Sequence, residues 1–192
     1  NTAVGFGALA AQNTGTPNDA FGNQSLCKLT TGTQNTGLGF RAMCDVTTGV
    51  RNVSVGNSAG YKTTSGNENV AIGRASNLSN TTGNNNVSVG HCAGYNITTG
   101  GQNINIGGFT TVASATASYS LAIGYNIVGK GAGTGYIAPD GTSSGGIYQG
   151  NNSSSWSTTS DKRIKKNIVD NTTGLDKINQ IQIRNFEYRK ED

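Results

Sequence analysis

The stretch "NVSVGNSAGYKTTSGNENVAIGRASNLSNTTGNNNVSVG", Asn52 to Gly90, repeats one five-residue phrase three times. Asn52, Asn69 and Asn86 each open an Asn-x-small-apolar-Gly unit, and the step between them is 17 residues. Outward from this stretch the step continues without insertion, to "NTGLG" at Asn35, "NDAFG" at Asn18, "NTAVG" at Asn1, "NINIG" at Asn103 and "SLAIG" at Ser120. A second marker keeps the same phase: Gly15, Gly32, Gly49, Gly66, Gly83 and Gly100, often inside Thr-Thr-Gly. Two markers held in phase this long imply a structural repeat.

Each unit predicts one short strand, its second and fourth residues pointing one way and its third the other. The fourth position is Val4, Phe21, Leu38, Val55, Ile72, Val89, Ile106 and Ile123, which reads as the core ladder. The third is small, as in Ala20, Gly37, Ser54 and Ala71, as close approach of another backbone requires. The closing Gly permits a positive φ at a corner, and Thr-Thr-Gly marks a second turn. One strand per exact period predicts an all-β parallel solenoid of about eight coils. At about 4.8 Å per coil it would be roughly 35 to 40 Å long.

Burying one Val, Leu or Ile gains roughly 1.5–3 kcal/mol, whereas fixing one residue's backbone costs about 1–2 kcal/mol. One dependable core residue per 17 is thin, even with the second position and Tyr61, Leu78, Tyr95 and Val112 added. Coils from several chains are therefore expected to share a core, as a homotrimer around one axis.

Composition narrows the function. The 192 residues include 29 Gly, and only 12% are charged, which is unlike an ordinary enzyme domain. The net charge is +4, with eight of the 14 Lys and Arg in residues 160–192, so the repeats carry no nucleic-acid footprint. No apolar run approaches the ~20 residues of a membrane span. Three Cys and one His make no metal set, and no cofactor is expected. Cys27 and Cys44 occupy equivalent places in adjacent coils, yet in-register neighbours rarely offer a disulfide's dihedral; a ladder of small buried residues is the preferred reading. The repeated Asn is expected to form an amide ladder inside the rod. The Thr columns allow a competing ice- or glycan-binding reading, although adjacent threonines before a Gly suit a turn better.

The phase ends after residue 124. Residues 125–155 are a Gly/Ser-rich connector with a turn at "APDGTS", and residues 156–192 begin a small, truncated α+β module. In it "TGLDKINQI" has helical spacing at Leu175, Ile178 and Ile181, and "QIRNFEYRK" reads as a strand.

The repeat resembles the β-roll heads of trimeric autotransporter adhesins, which carry a strand like "NVAIG". Further on, Ser160, Asp161, Arg163, Lys165, Asn167, Ile168, Leu175, Asp176, Ile178, Phe186 and Tyr188 fall in an order that resembles the start of the endosialidase-type intramolecular chaperone auto-processing domain. That family terminates many phage tail fibres and tailspikes; it drives trimerisation and then cuts itself off. The resemblance implies a scissile Thr159–Ser160 bond, Ser160 as nucleophile, Lys165 as general base, and Asp161, Arg163 and Lys166 in support. It implies a tail fibre or adhesin assembled in a host cytoplasm, located in a virion or on a cell surface, with a host glycan or receptor as partner. A cellular trimeric surface adhesin is the alternative. Any peptidase activity would be a single self-cleavage, and this truncated segment is expected to be inactive.

Overall fold

A computed structural model of the chain describes residues 1–11, 14–141, 145–150 and 157–158. Eleven strands lie in one sheet in chain order: β1 (Thr2–Val4), β2 (Asn18–Phe21), β3 (Asn35–Leu38), β4 (Val53–Val55), β5 (Val70–Ile72), β6 (Val87–Val89), β7 (Ile104–Ile106), β8 (Leu121–Tyr125), β9 (Gly135–Asp140), β10 (Ile147–Gln149) and β11 (Ser157–Thr158). No helix occurs among the described residues.

From β1 to β8 the pairing is parallel, and each residue lies opposite the one 17 positions on: Ala3 with Ala20, Gly37 with Ser54, Ser88 with Asn105. A constant offset equal to the sequence period makes that period one coil. The protein is therefore a parallel β-solenoid of about eight coils, as the 17-residue period predicts. The second side of each coil stacks as well, without forming strands. There Met43 N–H donates to the Ala59 carbonyl (2.9 Å), Gly60 to Ser76 (2.8 Å) and Asn77 to Ala93 (2.8 Å).

Two glycine columns make this stacking possible. The glycine after each strand turns at positive φ, 131° at Gly56 and 123° at Gly73. The Thr-Thr-Gly glycine is required for closeness: a Cβ on Gly49 would stand 2.5 Å from the Gly66 carbonyl oxygen. Beside it, the Thr two residues before each of these glycines ties coil to coil, Thr47 Oγ1 donating to the Thr64 carbonyl and Thr64 Oγ1 to that of Thr81.

The repeated Asn is buried and forms the expected ladder. Asn52 donates from its backbone N–H and from Nδ2 to Asn35 Oδ1 (both 3.0 Å), while its Oδ1 accepts the same pair from Asn69 (3.0 and 3.1 Å). Its Nδ2 also reaches the Gly66 carbonyl (2.8 Å). The pattern runs from Asn18 to Asn103, where the backbone N–H of Ser120 takes the last acceptor.

The core ladder is a correction. Within the chain Val4, Phe21, Leu38, Val55, Ile72, Val89, Ile106 and Ile123 point away from the coil interior; Val4, Phe21, Leu38, Ile72 and Ile106 are 38–56% exposed and the other three are intermediate. Strand alternation puts the Asn and the small third residue inside, and the second and fourth outside. The apolar interior lies on the far side of the coil: Leu26, Leu29, Met43 and Val46 pack on Ala20. Of the four other residues expected to help, Val112 is buried, whereas Tyr61 and Leu78 are half-buried and Tyr95 is exposed. The two cysteines are the second correction. Cys27 and Cys44 are bonded, with their Cα atoms 4.9 Å apart, rather than stacked as free thiols.

Among the described residues of 125–155 the sheet continues. β9 adds to β8 in parallel, with Ala122 opposite Tyr136 and a register irregularity between Ile123 and Tyr125. β9 and β10 pair antiparallel, and β11 pairs antiparallel with β10; Pro139 and Asp140 of the expected turn are the last residues of β9, and residues 142–144 lie outside the described residues. Tyr136 and Ala138 join Ala122 and Ile127 in a closing apolar cluster.

Candidate functional site: assembly face and processing segment

Two regions carry the chemistry. The first is the outer face of the strands. Among the second and fourth positions of β1 to β8 only Asp19 is charged, and from β4 onward all ten residues are Val, Ile or Leu. Contiguous exposed apolar surface of this kind marks an interaction face. Its residues cannot turn inward, because the coil is too narrow behind the strand: a Cβ on Gly37 would lie 2.5 Å from Ser25 Oγ and 3.1 Å from Leu26 Cγ.

Beyond the corner glycines runs a row of aromatic and cationic side chains. The Arg41 guanidinium sits 5.0 Å from the Tyr61 ring centroid and 5.9 Å from that of Phe40. Arg74 Nη1 donates to His91 Nε2 (2.6 Å), so the proton of a neutral His91 resides on Nδ1. His91 packs edge-on to Phe109 at 4.7 Å, and Phe109 to Tyr125 at 6.0 Å. Spacing alone does not single out this row, since its members are spread over more than one column and are interrupted there by Asn57, Ser58 and Gly108.

Charges pair one coil apart. Lys28 Nζ meets Asp45 Oδ1 at 2.7 Å, and Arg51 Nη2 meets Glu68 Oε1 at 2.6 Å. The hydrogen bond to Asp45, and then its charge, raise the Lys28 pKa above the ordinary lysine value. Such exposed pairs contribute little stability. Among the described residues no group of three or more His, Cys, Asp or Glu is placed to hold a metal, and no helix is long and apolar enough to cross a membrane.

The second region is the segment that holds the residues expected to take part in processing. Thr159, Ser160, Asp161, Arg163, Lys165 and Lys166 lie outside the described residues, as do the expected helix and strand of 175–190. Immediately before them Thr158 ends β11, opposite Ile147 of β10.

The class of protein is thus a repetitive β-solenoid with an unpaired apolar face. Residues 160–192 match the family described as chaperone of endosialidase, the first matched residue being Ser160. No curated protein and no solved structure matches the chain. A β-solenoid followed by a segment that matches the endosialidase-chaperone family fits a tail-fibre-like protein.

Proposed function

We propose that the chain is part of a viral, phage-like tail fibre, that three copies join through the outer strand face, and that the chaperone segment directs this assembly and then releases itself. The observation that carries the reading is the family match at 160–192, directly downstream of a solenoid whose longest apolar column faces outward. Association would bury that column, at about 1 kcal/mol for each half-exposed Val, Leu or Ile.

In the proposed cleavage, Ser160 Oγ adds to the Thr159 carbonyl carbon while neutral Lys165 accepts the hydroxyl proton. The C–N bond then breaks, the Ser160 amine takes up a proton, and water hydrolyses the resulting ester to a Thr159 carboxylate and a free Ser160. Lysine acts as a base only when its pKa is lowered. Desolvation at an assembled interface, with Arg163 and Lys166 nearby, would do so and would tie cleavage to assembly.

The test is to express the full reading frame and compare the masses of the wild type, Ser160→Ala and Lys165→Ala. The wild type splits at Thr159–Ser160 and neither variant does. An uncut wild type, or cleavage persisting in both variants, removes the auto-processing part; sedimentation equilibrium tests the trimer separately. The exposed His91, Phe109 and Tyr125 row beside Arg74 supports a host glycan as the outward partner, and a glycan array with an Arg74→Ala, Phe109→Ala control tests it.

A further inference from the structure

The coil interior changes character along the stack. In one column Leu26 and Met43 give way to Gly60, Asn77, Gly94 and Thr111; the facing column is Ala20, Gly37, Ser54, Ala71, Ser88 and Asn105. The two columns compensate in size. A Cβ on Gly60 would come within 2.6 Å of Ser54 Oγ, and one on Gly94 within 2.3 Å of Ser88 Oγ, so each serine is met by a glycine.

Through coils 5 to 7 this compensation leaves polar atoms without protein partners. Asn77, Ser88 and Asn105 are all fully buried, yet Oδ1 and Nδ2 of both amides and the Ser88 hydroxyl form no hydrogen bond. The Asn77 N–H donates to the Ala93 carbonyl at 2.8 Å, which sets the Asn77 side chain one coil from Gly94, where the Ser88 hydroxyl lies. Asn105 is the next residue of the Ser88 column, in register with it. The three orphaned groups therefore follow one another in consecutive coils.

We propose that Asn77, Ser88 and Asn105 form an internal hydration site, which holds ordered water inside the solenoid. The set is uncharged and offers both donors and acceptors, which suits water and not an ion. A buried water is normally held by two to four such groups, and buried amides and hydroxyls are nearly always paired. The ladder asparagines nearby satisfy all their atoms within the protein, so the ladder is not the source of the orphaned atoms; elsewhere Arg41 Nε and Ser120 Oγ are also without a hydrogen-bond partner, but each stands alone in its coil.

An experimental structure of the full chain near 1.5 Å tests this. Expected are water peaks about 2.7–3.2 Å from Asn77 and Asn105 side-chain atoms and from Ser88 Oγ. Ser88→Ala, which introduces the residue already present at position 71, is expected to remove or displace the peak beside it while the Asn ladder persists. The proposal is overturned if no peak lies within hydrogen-bond reach of Asn77 or Asn105, or if their amides pair with protein atoms instead. It is also overturned if Ser88→Ala leaves every peak in place.

Discussion

Replacing Asn52 by Ala tests whether the amide ladder holds the coils together. The substitution deletes four side-chain hydrogen bonds: two accepted from Asn69 and two donated by Nδ2, to Asn35 Oδ1 and to the Gly66 carbonyl. Two backbone groups lose these partners, the Asn69 N–H and the Gly66 carbonyl, whereas Asn35 Oδ1 still accepts from the residue 52 N–H and Asn69 Nδ2 still reaches Gly83. At about 1–3 kcal/mol for each stripped buried group the expected loss is roughly 2–6 kcal/mol. Asn52→Asp should cost more, since it turns an oxygen toward two acceptors and buries a charge. The assay is urea unfolding at fixed protein concentration, with hydrogen exchange at the Asn69 amide as the local reading. Thr48→Ala is the control, because Thr48 is exposed and its loss should stay within about 0.5 kcal/mol. If Asn52→Ala costs no more than this control and the Asn69 amide stays protected, the ladder does not hold the stack.

Other changes separate the remaining devices. Gly49→Ala drives a methyl against the Gly66 carbonyl, Val46 and Asn52 Nδ2, and should lower stability by about 1–3 kcal/mol or more on the same urea axis. Ile72→Lys leaves the ladder intact and should preserve β-sheet circular dichroism while converting trimers to monomers in sedimentation; unchanged mass argues against the strand face as the interface. The Cys27–Cys44 bond closes a loop of 17 residues, so reduction in a Cys92→Ser background should lower stability by about 3 kcal/mol. Coincident urea curves with and without reductant would show that the bond contributes nothing.

The period was legible because every coil repeats the same two backbone demands, a Gly corner after the strand and a Gly without room for a Cβ. The Asn ladder was legible for the same reason: an amide repeated at one strand position must meet its own copies. The side of the strand was misjudged. An unbroken apolar column reads as interior, but the residues behind the strand are Ala20, Gly37, Ser54, Ala71, Ser88 and Asn105, and the large apolar residues face out. The size limit at the third position carried this signal. The true interior was missed because it does not repeat in kind: Leu26 and Met43 share a column with Gly60 and Asn77, and only the reciprocal sizes of facing residues betray it. The disulfide is not legible from spacing alone, since equal places in adjacent coils suit a ladder of free thiols as well as a bond.

A repeat this regular creates a problem of alignment between chains. The hydrogen bonds of the ladder close within one chain, so coils can form before partners arrive, while in the proposed trimer the outer apolar face would be covered only by another copy. From β4 onward, sliding one chain by a single coil again sets Val, Ile or Leu against Val, Ile or Leu, and it unpairs just one rung. At about 1 kcal/mol for each of two half-exposed residues this costs roughly 2 kcal/mol, about thirtyfold in population, a weak penalty for a slipped assembly that is slow to come apart. The solenoid therefore does not set its own register strongly, and a terminal module that brings three ends level would set it. On this argument, removing residues from Ser160 onward should still give solenoids. Their rods should be staggered and over-long by multiples of about 4.8 Å in electron micrographs, whereas the intact frame gives one length. Uniform, full-register trimers from the shortened chain would show that the rod aligns itself and that the chaperone segment serves some other step.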